Sequence, residues 1–276
     1  MTTTENPAIG KDVDANGIRT NYLESGSGDD VVLVHGSGPG VTSYANWRLV
    51  LPELGRDFHC VAPDMVGFGY SERPDDADYS VQTWADQTLG VMDALGIEKA
   101  HMIGNSFGGA IALRLASQHP DRVDKLVLMG SMGVDFELTE GLDAVWGFKG
   151  TLEDMRRVMG FFAYDKALTT DELAEVRFAG ATQPGFQESF SSMFPEPRQR
   201  WVSAMTTPDA EISALPHRTL VLHGREDAVI PLANSYRLLE LLDNADLGVF
   251  SHCGHWSMIE RTADFNRLVR DFFLGD

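Results

Sequence analysis

The sequence predicts an α/β protein, a mostly parallel sheet covered by helices on both faces and interrupted by a helical insertion. Three observations predict it. Strand-like and helix-like segments alternate up to about residue 133 and again after Leu215-Pro216. Between them, at about 134–208, no good strand pattern occurs, and helix-like stretches at 151–162 and 170–179 are broken by Pro184-Gly185 and Pro195-Glu196-Pro197. Near 104–108 an apolar run passes through a glycine-flanked serine straight into a helix-like segment.

The elements follow in order. Asn16-Gly17 marks an N-terminal hairpin, because both residues tolerate the positive φ that a two-residue turn needs. Strands are expected at 31–34 and 59–62, then a helix at about 80–95. The apolar run Ala100-His101-Met102-Ile103 reads as the strand before the serine, with a helix after it to about 119 and a strand at 125–129. After the insertion, 219–222 and 247–250 read as strands and 262–273 as the closing helix. The predicted organisation is a core in two parts, 1–133 and 209–276, with 134–208 as a helical cap between them. Caps of this kind close over small-molecule pockets.

Gly104-Asn105-Ser106-Phe107-Gly108 is a G-x-S-x-G elbow in the strand–turn–helix setting that the motif requires. A tight turn leaves no room for flanking side chains and pushes the serine out on its corner, which makes Ser106 the candidate nucleophile. A serine hydroxyl needs a histidine to take its proton and a carboxylate to orient that histidine. An oxyanion also needs two backbone N–H donors. Phe107, directly after the serine, supplies one. The loop His35-Gly36-Ser37-Gly38-Pro39-Gly40 follows an early strand and lets its amides turn inward, so Ser37 N–H is the expected second donor. That loop lacks the Lys-Ser/Thr of a P-loop and the spacing of a dinucleotide fingerprint.

The chain resembles the α/β-hydrolase family over essentially its whole length. In that family the acid follows a late strand and the histidine lies on the loop after the last one. The resemblance implies an eight-stranded, mostly parallel sheet. Leu222-His223-Gly224-Arg225-Glu226-Asp227 carries two adjacent acids, and the spacing Gly224-x-x-Asp227-x-x-x-Pro231 favours Asp227 over Glu226. Ser251-His252-Cys253-Gly254-His255-Trp256 follows the final strand, and Gly254 gives His255 a flexible hinge that His252 lacks. His35, His59, His101, His119, His217 and His223 lie on or beside predicted elements and read as hydrogen-bonded structural residues.

Within that family, His35-Gly36-Ser37-Gly38-Pro39-Gly40, Asn46-Trp47, the elbow Gly-Asn-Ser-Phe-Gly-Gly and Cys253-Gly254-His255-Trp256 look like the meta-cleavage-product hydrolases. These cleave a carbon–carbon bond in bacterial aromatic degradation. The cap segments Gly185-Phe186-Gln187-Glu188-Ser189-Phe190 and Pro197-Arg198-Gln199-Arg200-Trp201 look most like the branch acting on 2-hydroxymuconic semialdehyde and its 6-alkyl relatives. The resemblance implies an anionic dienoate substrate whose polar end meets Asn46, Asn105 and Arg177, with Trp256 against the diene. It also implies a homo-oligomer and calls for no metal or organic cofactor. Without it, Arg177 would read as a solvated helix residue, Asn46 as a helix cap and Trp256 as core.

Composition agrees. The chain has 276 residues, 43% of them hydrophobic, enough for a sizeable core. A formal charge of -19 repels polyphosphate and anionic bilayers, so neither nucleic acid nor membrane is an expected partner. Met1-Thr2-Thr3-Thr4-Glu5-Asn6-Pro7 has no basic region or apolar run, and Cys60 and Cys253 make no disulfide framework, so a cytoplasmic protein is expected. A carboxylesterase or lactonase, or a non-catalytic receptor on the same scaffold, would share the elbow. Dehalogenases and epoxide hydrolases would need an aspartate where Ser106 stands.

Overall fold

The computed structural model describes residues 6–275. Residues 1–5, part of the amino-terminal stretch considered above, lie outside the described residues. Asn16 and Gly17 adopt φ of 57° and 85° between β1 (Lys11–Ala15) and β2 (Ile18–Ser25). Positive φ at both positions matches the turn to the twist of the strands it joins.

The other strands are β3 (Asp29–Val34), β4 (Phe58–Pro63), β5 (Ala100–Asn105), β6 (Val123–Met129), β7 (Thr219–Gly224) and β8 (Ala245–Phe250). They form one eight-stranded sheet in the order β1-β2-β4-β3-β5-β6-β7-β8. β2 runs antiparallel to both its neighbours, and every other pairing is parallel. Helices cover both faces, so the central strands are apolar along their length rather than alternating. Every residue of β5 and β7 is buried, whereas β8, at the sheet edge, is mostly half-exposed.

β3 lies between β4 and β5. The chain therefore leaves β3 toward one side of the sheet and later returns to the other. Loops diverging at such a switch point open a crevice at the carboxyl ends of the strands. The loops after β3 and β5 carry His35 to Gly40 and Ser106.

Helix Val81–Leu95 starts where the Ser80 hydroxyl accepts the Thr83 N–H and stops at Gly96, φ 71°. Helix Phe107–Gln118 follows the elbow. Between β6 and β7 come helices Glu140–Trp146, Leu152–Phe162, Asp171–Ala181, Phe186–Met193, Gln199–Ala204 and Asp209–Ser213, with no strand among the described residues. Thr139, Thr151 and Thr170 cap the first three by accepting N–H groups of Leu142, Asp154 and Leu173. This insertion touches the sheet domain closely: a Cβ on Gly40 would come 2.8 Å from the Ala181 nitrogen. No helix among the described residues is long and apolar enough to cross a membrane.

Candidate active site

Ser106 sits on the elbow with φ 54° and ψ −115°, a conformation that L residues avoid. The surrounding backbone holds it there. Ser106 N–H donates to Met129 O at 2.9 Å, and its carbonyl accepts from Gly109 and Met132, each at 3.0 Å. The flanking glycines are required by contact: a Cβ on Gly104 would stand 2.5 Å from Gly109 Cα, and one on Gly108 would stand 2.2 Å from Val34 O. Phe107 opens the following helix. Its N–H lacks an intrahelical acceptor and lies at the positive end of the helix dipole.

The loop after β3 passes directly over the elbow. A Cβ on Gly36 would meet Asn105 Oδ1 at 2.7 Å and Ser106 Cβ at 3.6 Å. Ser37 is buried, and its Oγ accepts the Trp146 indole N–H at 2.9 Å. His35 anchors the loop, its Nε2 accepting from Met65 N at 2.9 Å and its Nδ1 facing Gly36 O at 2.7 Å. Burial pushes the His35 imidazole below its usual range, outweighing the nearby Asp64 charge.

Asp227 follows β7 and is enclosed. Its Oδ1 accepts the N–H groups of Val229 and Ile230 at 2.8 and 2.9 Å, and its Oδ2 stands 2.7 Å from His255 Nδ1. His223 Nε2 lies 3.3 Å from the same Oδ2. Burial by itself raises the carboxyl. The His255 charge and the His223 and His255 hydrogen bonds outweigh it and hold Asp227 far below the ordinary carboxylate range. Gly130, at φ 49°, passes so close that a Cβ would lie 3.2 Å from both Asp227 Oδ2 and His255 Nδ1.

The competing residues are engaged elsewhere. Glu226 turns away and accepts the Cys253 N–H at 3.0 Å, and His252 is exposed beside Tyr164. His223 is structural, as its place on β7 suggests, yet it also braces the acid.

Ser106 and His255 line a cavity of about 30 Å³ together with Ser37, Asn46, Asn105, Arg177 and Trp256. Asn46 lies inside helix Ser43–Trp47, whose cap is Thr42, so the capping alternative does not hold. Its Oδ1 accepts weakly from Gly36 N at 3.4 Å, while its Nδ2 is buried without a partner. Arg177 is not a solvated residue either. Its Nη2 reaches Pro39 O at 3.4 Å, its Nε is buried without a partner, and its guanidinium lies 5.3 Å from the Trp256 ring. Burial, with Arg48 adding repulsion, lowers the Arg177 pKa to about 10. Trp256 stacks on Phe162 at 4.9 Å and 12°.

Phe162 and Trp146 were not singled out from the sequence. They lie on helices of the insertion, and aromatic residues at helical spacing carry no signal that separates a cavity wall from core. A larger groove of about 570 Å³, floored by Trp84 and Met193, contains neither Ser106 nor His255.

The sheet order and the strained serine elbow at its carboxyl edge are those of an α/β hydrolase, and the model of the alpha/beta hydrolase fold family matches residues 30–262. The chain is 56% identical over 266 residues to 2-hydroxymuconate semialdehyde hydrolase of Pseudomonas sp. (strain CF600), covering 96% of this chain and 94% of that one. It is 53% identical over 274 residues to 2-hydroxy-6-oxo-2,4-heptadienoate hydrolase of Pseudomonas putida F1, covering 99% of each. A variant meta-cleavage product hydrolase from Pseudomonas fluorescens IP01, complexed with acetates, superposes with a TM-score of 0.96 at 55% identity over 97% of this chain and 98% of that one. The chain belongs to the α/β-hydrolase family and, within it, to the meta-cleavage-product hydrolases, which are carbon–carbon bond hydrolases.

Proposed function

We propose that this enzyme hydrolyses the C5–C6 bond of 2-hydroxy-6-oxo-dienoates, with 2-hydroxymuconic semialdehyde and its 6-alkyl relatives as substrates. The observation that carries this reading is a cavity wall of donors without acceptors. Asn46 Nδ2 and Arg177 Nε are both buried and unpartnered, and both residues share the cavity with Ser106 and His255. Buried polar groups are rarely left unpaired. A carboxylate with a neighbouring oxygen supplies the missing acceptors, and an Arg fork suits a carboxylate geometrically. The relatives named above are hydrolases of such dienoates, which supports the same substrate class here. A net charge of -19 opposes an anionic substrate at long range, so these local donors carry its recognition.

Ser106, Asp227 and His255 form the catalytic triad on this reading, with Phe107 and Ser37 N–H groups as the oxyanion hole. His255 first assists conversion of the bound dienol to its 2-keto tautomer by moving a proton from the 2-hydroxyl to C5. The ketone at C2 then serves as electron sink. Attack on the C6 carbonyl, by Ser106 or by water activated in the triad, places negative charge on the C6 oxygen facing those amides. Collapse breaks C5–C6, the electron pair delocalises to the C2 oxygen, and proton return gives 2-hydroxypenta-2,4-dienoate. Water supplies the hydroxyl of the carboxylic acid released from C6.

Residues 134–208 act as the cap. Leu142, Val145, Phe162 and Arg177 reach the cavity from this segment, and about 30 Å³ is room for a few waters at most. Admission of a dienoate therefore displaces these lining side chains, and a cap that moves does so as lids do in many enzymes. The same reading places the enzyme in the cytoplasm as a homo-oligomer, and light scattering measures the latter.

The decisive experiment is stopped-flow absorbance of the yellow dienolate with 6-H, 6-methyl and 6-phenyl substrates. Wild type consumes the two small substrates fast, and Ser106→Ala binds them without cleavage. Full turnover by Ser106→Ala would remove the nucleophile assignment.

A further inference from the structure

We propose that Glu260 is a positioning residue that staples the cap to the loop carrying His255. Glu260 ends the one-turn helix Ser257–Glu260 just after that loop. Its Oε1 accepts the N–H of Gly254, the residue before His255, at 2.7 Å. Its Oε2 accepts two N–H groups from the insertion, those of Tyr164 at 2.8 Å and Asp165 at 3.0 Å. One carboxylate thus holds two separate stretches of chain by three backbone donors. Charge-assisted bonds of this kind are shorter and stronger than neutral ones.

The stapled segments also touch directly. Trp256 N–H donates to Phe162 O at 3.1 Å, and a Cβ on Gly254 would come 2.8 Å from both Phe162 O and Tyr164 N. Phe162 in turn lies parallel to Trp256 at 4.9 Å and near-parallel to His255 at 6.1 Å, interplanar 23°. Displacement of the chain leaving helix Leu152–Phe162 is therefore transmitted to the backbone that sets the His255 ring. Glu260 reaches no reacting group itself. It acts by keeping the cap wall and the imidazole in one register, so that His255 meets Ser106 only when Phe162 is seated.

No conservative replacement reproduces this. A glutamine keeps the shape, but its amide nitrogen must face N–H donors on one side of the staple. An aspartate is one methylene too short to span both segments.

The inference rests on His255 being the general base. The test measures kcat and KM with 2-hydroxymuconic semialdehyde, thermal unfolding, and the low-field ¹H resonance of the His255–Asp227 hydrogen bond, in Glu260→Gln, Ser106→Ala and His255→Ala. In folded Glu260→Gln, kcat falls about tenfold or more, KM changes less than about threefold, and the low-field resonance broadens, which is the pattern of lost transition-state positioning rather than lost binding. Folded Glu260→Gln with wild-type kcat and resonance overturns the proposal while leaving the triad intact, provided that Ser106→Ala and His255→Ala are inactive. Wild-type turnover in His255→Ala overturns both readings. If Glu260→Gln does not fold, Asp165→Pro compared with Asp165→Ala decides. Proline deletes one N–H donor at a residue whose φ of −75° it fits, and equal kcat in the two variants overturns the staple.

Discussion

His255 Nδ1 stands 2.7 Å from Asp227 Oδ2, while the other oxygen of that carboxylate is occupied by two backbone N–H groups. The acid is thus oriented before the histidine meets it. Asp227→Asn tests this arrangement. The Val229 and Ile230 N–H groups demand an oxygen, so the amide nitrogen of asparagine faces His255 Nδ1 and forces the tautomer with hydrogen on Nε2. That tautomer cannot take the Ser106 proton. In steady-state assays kcat falls by roughly 10³–10⁴, the scale of tautomer loss in serine triads, with little change in KM.

Arg177→Ala tests the proposed separation of recognition from chemistry. Arg177→Ala raises KM for the dienoate roughly 10- to 100-fold, as expected for a charged hydrogen-bonding partner worth about 1.5–3 kcal/mol, while hydrolysis of a neutral aryl ester survives. Equal losses on both substrates would contradict the clamp. Arg177→Met removes a half-buried cation lacking a carboxylate partner, and it raises the thermal unfolding midpoint of the ligand-free protein.

Gly130 is sensitive because it runs beneath the Asp227–His255 pair. Gly130→Ala places a methyl 3.2 Å from each partner at a φ of 49°. The expected loss is about 1–3 kcal/mol of stability in urea unfolding, accompanied by a fall in kcat.

Acid sensitivity follows from His35, which anchors the loop after β3. Burial lowers the His35 pKa, so the unfolded chain takes up a proton below about pH 6.5 that the native state refuses. Stability from His35 is complete above that pH and is lost as pH falls below it. His59 works oppositely: burial lowers its pKa, but hydrogen bonds and charges of Asp30 and Glu24 raise it overall. Its contribution is present at low pH and fades as pH rises through its folded value. His35→Gln isolates the first effect by flattening the slope of the urea midpoint between about pH 6.5 and 5 relative to wild type.

The hairpin at Asn16-Gly17, the elbow at Ser106 and the helix starting after Ser80 were legible because each depends on neighbours in sequence. Turn chemistry, capping and strand–helix alternation are local, and so is the clash with Gly109 that demands Gly104. The loops expected to carry the acid and the histidine were legible only through the family resemblance, which puts the acid after a late strand and the histidine after the last one. Tyr164, Asp165 and Glu260 were not legible as a group: the first two lie 96 and 95 residues before Glu260, and nothing in either segment names the other.

The sequence by itself therefore determined the class of sheet, the helical interruption and the residue types capable of the chemistry, because periodicity, turns and motif spacing are short-range properties. Tertiary structure decided which of two adjacent acids meets the histidine, that Arg177 and Asn46 present unpaired buried donors to the Ser106 cavity, and that the Glu260 carboxylate joins the helical insertion to the His255 loop. These depend on distances between segments remote in the chain, and burial converts those distances into energy by removing the water that would otherwise satisfy each group.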